Sequence, residues 1–289
     1  MCSTCGCGHA DMITITKIGD EENHEHFSLH AEEAVSHAHH HHHHESGQAH
    51  THRHVHEDGT VAHHHHEVPT SRIVVDLEMD ILHKNDLMAS RNRGYFEALQ
   101  IVALNLVSSP GSGKTSLLET TLTALSSEVN CHVIEGDQQS SNDAQRIAET
   151  QVPVVQINTG KACHLDAQMV QKAYKQLSPE NRSILFIENV GNLVCPAMFD
   201  LGESARVVII SVTEGDDKPI KYPDMFHSAD ICVINKIDLL PYVQFDVDKV
   251  KEYALRVNPN LEFFELSATT GEGMESWYKW LHDRLRDAP

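Results

Sequence analysis

The sequence of 289 residues lacks the features of a secreted or membrane-spanning chain. Its seven cysteines are odd in number and unevenly spaced, which does not fit the disulfide framework of a small secreted domain. No apolar signal core follows the amino terminus, and the longest apolar stretches, 101–107 and 205–212, are too short to cross a bilayer. We therefore expect a cytoplasmic protein with no membrane partner.

Basic side chains are also scarce. The chain has 22 Lys and Arg residues against 42 Asp and Glu residues, which gives a formal net charge of −20. Attraction of Lys and Arg to phosphate groups dominates binding to nucleic acids and to anionic membranes. The charge balance excludes the chain as a whole from both classes, so we expect no nucleic-acid partner.

Histidine is abundant, and 19 of the 24 histidines lie in residues 1–70. Neutral imidazoles are suitable ligands for nickel and zinc, and this pattern predicts a tract that stores or buffers metal ions. The segment has few large apolar residues, so we expect it to be largely disordered without a ligand. The storage tract comprises His39, His40, His41, His42, His43, His44, His50, His52, His54, His56, His63, His64, His65 and His66.

A separate metal site is predicted at the amino terminus. Cys2, Cys5 and Cys7 place three thiolate ligands within six residues. With a fourth ligand, either the α-amino group or a histidine, the set suits square-planar Ni(II) or tetrahedral Zn(II).

The pattern becomes that of a globular protein from residue 71. A helical lead-in over 71–100 is followed by a predicted domain over 101–289, in which short Val- and Ile-rich runs alternate with amphipathic segments. Such runs are typical of a parallel sheet with helices on both faces, so we predict a doubly wound α/β fold. The predicted strands are 101–107, 131–135, 153–157, 183–188, 205–212, 230–235 and 261–266. The predicted helices lie near 114–127, 142–150, 166–177, 246–257 and 272–286.

The first predicted strand runs directly into a phosphate-binding loop of the P-loop type. Backbone N–H groups and a helix amino terminus would surround the phosphates, Lys114 would reach the terminal oxygens, and Thr115 would ligate magnesium. Ser108 replaces the usual first glycine, which is a departure from the pattern. The predicted phosphate-binding residues are Pro110, Gly111, Ser112, Gly113, Lys114, Thr115 and Ser116.

A guanine site is predicted by the sequence Asn235-Lys236-Ile237-Asp238, which directly follows a strand. The carboxylate of Asp238 can accept hydrogen bonds from N1–H and the exocyclic amine of guanine, whereas adenine offers no such donor pair. Ser267, Ala268 and Thr269 follow the next strand, where a backbone N–H could donate to guanine O6. The pattern favours GTP and GDP over adenine nucleotides.

Two carboxylates are predicted at the same edge of the sheet. Asp137 and Glu188 each end a strand, and ligands of such sheets bind at the carboxyl ends of the strands. We expect both to hold magnesium with Thr115, and Asp137 and Lys114 to act in hydrolysis by positioning and charge stabilisation. Glu188 stands where many GTPases have the aspartate of D-x-x-G, and no obvious catalytic glutamine follows, so slow intrinsic hydrolysis is expected.

Taken in order, the motifs resemble those of the HypB family of hydrogenase nickel-incorporation GTPases, within the SIMIBI class of P-loop NTPases. The motifs are CxxCGC, SSPGSGKTS, EGDQQ, TGKACHLDA, ENVGNLVCP, EGDDKP and NKID. The resemblance implies a homodimer promoted by nucleotide or metal. It also implies nickel delivery to the large subunit of [NiFe]-hydrogenase, together with other nickel-maturation accessory proteins.

The resemblance further implies a second, weaker nickel or zinc site formed by Cys163, His164 and Cys195. Adjacent residues such as Cys163 and His164 can rarely both meet one ion with a third residue and still close a tetrahedron from one chain, so a site shared across a two-fold axis is expected. If Glu188 senses the γ-phosphate, hydrolysis would shift Cys195 against the other two ligands.

Other functions stay open at this point. The chain could be a nickel or zinc store whose GTPase domain only regulates it, or a urease-type nickel accessory GTPase. A translation or signalling GTPase would explain none of the metal ligands.

Overall fold

The computed structural model describes residues 13–18, 51–55, 61–65, 70–138 and 142–288, with backbone alone for 51–55, 61–65 and 70–78. The chain divides into two units, Met1–Leu29 with Asn85–Pro289, and His30–Lys84. The predicted Cys2, Cys5 and Cys7 site lies outside the described residues. The same holds for most of the histidine tract, namely His39–His44, His50, His56 and His66.

The first unit is built on an eight-stranded sheet with the strand order β1-β6-β5-β7-β4-β8-β9-β10. All neighbouring strands in it run parallel except β1, which is antiparallel to β6. The predicted doubly wound α/β fold is therefore confirmed. The strands of this sheet are β1 (Thr14–Lys17), β4 (Val102–Ser108), β5 (Cys131–Asp137), β6 (Val154–Asn158), β7 (Ile184–Glu188), β8 (Ala205–Ser211), β9 (Ile231–Asn235) and β10 (Glu262–Glu265). Two further strands, β2 (Thr51–Val55) and β3 (Val61–His65), form a separate pair.

Helices connect the parallel strands. They are α1 (Thr70–Ala98), α2 (Lys114–Leu125), α3 (Asn142–Glu149), α4 (Ala167–Leu177), α5 (Lys218–Lys221), α6 (Pro223–Ser228), α7 (Val247–Val257) and α8 (Met274–Arg286), with 3-10 helices at Cys195–Met198 and Ile237–Tyr242. Every predicted strand and helix of 101–289 is present with ends shifted by a few residues. The short helices α5 and α6 were not predicted, because each has a proline in its first turn and no amphipathic repeat of useful length.

Both faces of the sheet are buried, because alternate residues of each strand point to opposite faces. Leu104 and Leu106 of β4 pack with Leu122 of α2 on one face. On the other face, Ala103 of β4 packs in a cluster with Val170 of α4. This alternation accounts for the continuous apolar runs by which the strands were predicted.

Three strands, β1, β2 and β3, lie in the amino-terminal segment that was expected to be largely disordered. In β1, Ile15 is buried and pairs with Ile157 of β6 at the sheet edge. The composition of 1–70 as a whole did not predict it, since a strand of four residues needs only one buried side chain and an available edge. In the second unit, β2 and β3 form an antiparallel pair whose register sets His52 opposite His64.

None of the described helices is both long enough and apolar enough to cross a membrane.

The buried histidine of β5 gives the fold a testable pH dependence. Burial lowers the pKa of His132, against a smaller opposing effect of the Glu180 carboxylate. Below about pH 6.5, His132 is protonated in the unfolded chain but stays largely neutral in the folded chain. The free energy of unfolding therefore falls as the pH falls. In His132→Gln, part of the loss of stability between about pH 7 and about pH 5 should disappear.

The measurement is the urea midpoint of unfolding at both pH values. His227→Gln serves as the control, because His227 is exposed and its substitution should leave the pH dependence as it is. An identical pH dependence of His132→Gln and the unsubstituted chain would contradict this interpretation.

Candidate nucleotide site and metal centre

The carboxyl ends of the parallel strands meet at one edge of the sheet, where a cavity of about 530 Å³ opens. This volume lies in the range of small-molecule sites. The cavity is lined by residues 108–116, 135–138, Asp143, Arg146, Glu188, Val190, Gly191 and Lys236. All seven predicted phosphate-binding residues and both predicted carboxylates, Asp137 and Glu188, therefore line the same cavity.

The loop between β4 and α2 has the backbone that a phosphate-binding loop needs. Gly113 has a φ of 91°, and a Cβ at this position would lie 2.6 Å from Nδ2 of Asn235, so only glycine fits. Asn235 Nδ2 donates to the carbonyl of Ser112 at 3.0 Å, which joins this loop to the predicted guanine site. Ser108 is not among the residues with positive φ, so its backbone does not require the glycine that the usual pattern has there.

Lys114, Thr115 and Glu188 form one hydrogen-bonded group at the floor of the cavity. Lys114 Nζ lies 2.8 Å from Glu188 Oε1, and Thr115 Oγ1 donates to the same oxygen at 2.6 Å. Glu188 is 1% exposed, and its Oε2 atom has no hydrogen-bond partner in the described structure. Residues predicted from two separate motifs are thus in direct contact.

Glu135 is a site residue that the sequence analysis missed. It is buried, it lies opposite Glu188 in the β5–β7 register, and its Oε2 atom also has no partner among the residues described. Burial and the charge of Glu188 raise the pKa of Glu135 to about 8. Strand periodicity could have found it, because Glu135 is two residues before Asp137 and alternate strand residues share a face.

These residues fit a magnesium ion. Carboxylate and hydroxyl oxygens are the ligands that Mg²⁺ prefers, and Glu135, Asp137, Glu188 and Thr115 supply only such groups to the cavity. The two buried carboxyl oxygens without partners, one on Glu135 and one on Glu188, are the observation that favours a cation, since a buried polar atom without a partner is costly and a cation favours the ionised form of Glu135.

The predicted guanine-binding residues are brought together around Asn235. Its Oδ1 atom accepts from the backbone N–H of Lys236 at 2.7 Å and of Ala268 at 3.2 Å. Lys236 Nζ donates to the carbonyl of Gly111 at 2.7 Å. Asp238 Oδ1 is buried without a partner in the described part of the chain, as an acceptor for a base would be.

The donor to guanine O6 is less simple than predicted. The N–H of Ser267 donates to the carbonyl of Glu272 at 2.8 Å, and that of Ala268 to Asn235. Two of the three predicted amides are therefore engaged within the protein, and the amide of Thr269 is the remaining candidate.

Two cations of the cavity region were not predicted as site residues. Lys218 Nζ donates to Ser109 Oγ at 2.9 Å, so the EGDDKP motif contacts the phosphate loop of its own chain. Arg146 of α3 donates to Ser116 Oγ at 3.3 Å and pairs with Glu119. Neither residue belongs to a pattern of the phosphate loop, so spacing alone could not place it there.

Cys163, His164 and Cys195 form a second cluster. Their ligand atoms all lie within 4.8 Å of one another, with 3.0 Å between the two sulfurs and 3.9 Å from Cys163 Sγ to His164 Nδ1. One chain therefore brings three ligand atoms together, and the fourth position of a tetrahedron, with its predicted sharing across a two-fold axis, stays a prediction. The chain bends at Cys163 and His164, so the two side chains are not sent to opposite sides as they would be in a strand.

The environment of the cluster suits a metal ligand set. The His164 ring stacks on Phe199 with 3.9 Å between ring centroids, and burial lowers the pKa of His164, which favours the neutral imidazole that binds metals. Arg206 is buried and donates to the carbonyls of Ala197 and Phe199, which holds Phe199 in position against His164. Two thiols and one imidazole suit nickel or zinc.

Known proteins are similar to this chain over most of its length. A family model described as CobW/HypB/UreG, nucleotide-binding domain, matches residues 102–265. The hydrogenase maturation factor HypB of Escherichia coli K12 is 47% identical over 287 residues, which cover 97% of this chain and 98% of that protein. HypB of Azotobacter chroococcum is 58% identical over 215 residues, covering 74% of this chain and 70% of the relative.

Solved structures agree in fold. A crystal structure of HypB from Helicobacter pylori in complex with nickel matches with a TM-score of 0.66 and 38% identity, covering 71% of this chain and 96% of that one. HypB from Archaeoglobus fulgidus matches with a TM-score of 0.66 and 42% identity, covering 70% and 98%. The chain therefore belongs to the CobW/HypB/UreG family of nucleotide-binding proteins and, within it, to the HypB hydrogenase maturation factors.

Proposed function

We propose that this chain is a GTP-hydrolysing nickel chaperone that inserts nickel into the large subunit of [NiFe]-hydrogenase during maturation. One observation carries the proposal. The segment from Glu188 to Cys195 begins on the floor of the phosphate cavity and ends seven residues later in the Cys-His-Cys cluster. A nucleotide and a metal ion bound at these places would be connected by a single short stretch of backbone.

The nucleotide chemistry follows from the cavity. The N–H groups of the loop residues 110–116 hold the phosphates, and Lys114 exchanges its contact with Glu188 for the terminal phosphate oxygens. Thr115, Asp137 and Glu188 hold magnesium, which neutralises the charge on the phosphates when bound. Asp137 orients the attacking water. Intrinsic hydrolysis is slow, because no glutamine follows Glu188 where many GTPases carry one.

The metal chemistry is divided among three places. Cys163, His164 and Cys195 bind the nickel ion to be transferred, and the same ligands accept zinc. Cys2, Cys5 and Cys7 form a second nickel site, and the histidine tract stores the metal. The protein acts in the cytoplasm as a homodimer promoted by nucleotide or metal, together with the other accessory proteins of nickel maturation.

The function is tested by complementation of a bacterium that lacks its own HypB. The chain should restore hydrogenase activity in medium with little nickel, and Lys114→Ala and Cys195→Ala should not. If the unsubstituted chain restores no hydrogenase activity at any nickel concentration, the proposal is wrong. Restoration of urease activity instead would favour a urease-type accessory GTPase.

A nickel store with a regulatory GTPase is the second candidate, which the histidine tract favours. A deletion that tests it should begin after Ile18, because β1 is part of the sheet, and should end before α1. Loss of hydrogenase activity only at low nickel would favour storage by the tract. Loss at every nickel concentration would favour an essential role in delivery.

Asp238→Asn should change the base preference. The substitution replaces an acceptor of two hydrogen bonds by an amide that also donates, which suits xanthine better than guanine. Because hydrogen bonds to a charged group contribute about 1.5–3 kcal/mol each, GTP affinity should fall by at least about 100-fold while xanthosine triphosphate gains affinity. The measurement is competition against a fluorescent guanine nucleotide. Asp248→Asn, at an exposed position of α7, is the matched control and should bind GTP normally.

Lys114→Ala should lower the rate of GTP hydrolysis by about 100- to 1000-fold, because one donor to the developing phosphate charge is lost. Phosphate release under saturating GTP measures the rate. Lys175→Ala removes an exposed lysine of α4 and should hydrolyse GTP at the normal rate. Equal rates in the two variants would remove Lys114 from the catalytic group.

Cys195→Ala should weaken nickel binding at the cluster by more than about tenfold, since loss of an outer-shell partner alone costs 10- to 100-fold. Nickel binding at the cluster is measured by the thiolate-to-nickel charge-transfer band. The titrated protein is the full chain with Cys2→Ser, Cys5→Ser and Cys7→Ser, in which only the cluster gives this band, because histidine sites have no thiolate. Cys232→Ala removes a buried thiol of β9 outside the cluster and should keep the band. Unchanged affinity in Cys195→Ala would sink the assignment.

A further inference from the structure

Two asparagines of the segment 188–195 are bonded to the loop that carries the other metal ligands. Asn189 Oδ1 accepts from the backbone N–H of Leu165 at 3.1 Å. Asn192 Nδ2 donates to the carbonyl of Cys163 at 3.2 Å. The two hydrogen bonds stand on either side of the Cys163–His164 pair, so the position of both ligands relative to Cys195 depends on these side chains.

Asn189 is a fixed anchor. It is 1% exposed, its backbone N–H donates to the carbonyl of Leu106 at 3.0 Å, and its Nδ2 atom donates to Asn105 Oδ1 at 3.2 Å. Asn105 in turn donates to Glu203, which pairs with the buried Arg206. A connected polar network of this kind, enclosed in the core, holds its members in one arrangement.

Asn192 is placed differently. It is partly exposed, and besides its bond to Cys163 its Oδ1 atom accepts from the N–H of Val194 at 2.9 Å. It directly follows Gly191, which lines the phosphate cavity and is packed so closely on Pro110 that a Cβ would lie 3.3 Å from that residue. Asn192 therefore lies between a residue that touches the phosphate loop and the backbone of a metal ligand.

We propose that Asn192 is the positioning residue through which the nucleotide state sets the geometry of the Cys163, His164 and Cys195 cluster. The inference rests on the proposed function, since it needs GTP in the cavity and nickel at the cluster. A γ-phosphate displaces Gly191 against Pro110, as terminal phosphates order switch segments in other GTPases. The Asn192 amide passes this displacement to the Cys163 carbonyl.

The anchor at Asn189 decides where the displacement is felt. Because Leu165 is held by the buried network, the loop cannot follow Asn192 as a whole. The change falls on Cys163 and His164 and alters their distance from Cys195. The affinity for nickel then differs between the GTP and GDP states, which is a coupling free energy between two sites.

The test is a nickel titration of the full chain carrying Cys2→Ser, Cys5→Ser and Cys7→Ser, followed by the thiolate-to-nickel charge-transfer band. Titrations are made with magnesium and either GDP or a non-hydrolysable GTP analogue. With Asn192 intact, the two nickel affinities should differ by about fivefold or more. In Asn192→Ala, their ratio should fall to about one, while nickel still binds and both nucleotides keep their affinities.

Asn192→Asp separates the two hydrogen bonds of the side chain. Aspartate still accepts from the N–H of Val194, but it cannot donate to the carbonyl of Cys163, so the ratio should again fall to about one. Asn130→Ala is the matched control. Asn130 is exposed at the amino-terminal end of β5 and donates to Glu180, so its loss removes a similar bond at the opposite edge of the sheet.

Two outcomes would overturn the inference alone. Either both Asn192 variants keep the affinity ratio of the intact residue, or the charge-transfer band disappears in both nucleotide states, in which case Asn192 builds the cluster and transmits nothing. If the protein with Asn192 intact binds nickel with the same affinity in both nucleotide states, the two sites are not coupled and the inference fails with the coupling. If it shows no band, the proposed metal role of the cluster fails first.

Discussion

The carboxylate of Glu188 is buried beneath the phosphate loop, and its pairing with Lys114 and Thr115 holds the candidate site together. A buried carboxylate without partners would cost several kcal/mol. Here one oxygen is satisfied by the Lys114 ammonium and the Thr115 hydroxyl, and the other oxygen is not satisfied by the described residues. One oxygen of Glu188 therefore has partners within the protein, and the other is an acceptor available for a cation.

The same carboxylate begins the segment that reaches the metal cluster. The phosphate cavity and the Cys-His-Cys cluster are thus connected by one piece of chain, whose first residues are held by the sheet and whose last residue is the proposed ligand Cys195. A buried polar network fixes the start of this segment to the core. It comprises Asn105, Asn189, Glu203 and Arg206. Polar groups in a core are tolerated only when they are hydrogen-bonded, and this network is. It provides a rigid base against which a short switch segment can move.

Much of the fold and of the nucleotide site could be predicted, because the relevant patterns are local. Apolar runs predicted the strands of 101–289, and the SSPGSGKT and NKID sequences predicted which strand ends carry the phosphate and base loops. The parallel arrangement then requires Asp137 and Glu188 to lie at one edge. Strands β1, β2 and β3 were missed, and in β1 the single buried side chain, Ile15, gives no periodic signal. Helices α5 and α6 were missed because they are too short for one.

Other features depend on distances that no local pattern contains. Glu135 lies opposite Glu188 because β5 and β7 are neighbours in register, although they are separated by about 50 residues of chain. Cys163 and His164 meet Cys195 only because the loop after β6 bends towards the segment after β7. The sequence by itself therefore determined the fold class, the phosphate loop and the choice of guanine, since each depends on neighbouring residues. Only the tertiary structure decided how the carboxylates share one lysine and how the metal ligands converge, because these depend on strand order and register.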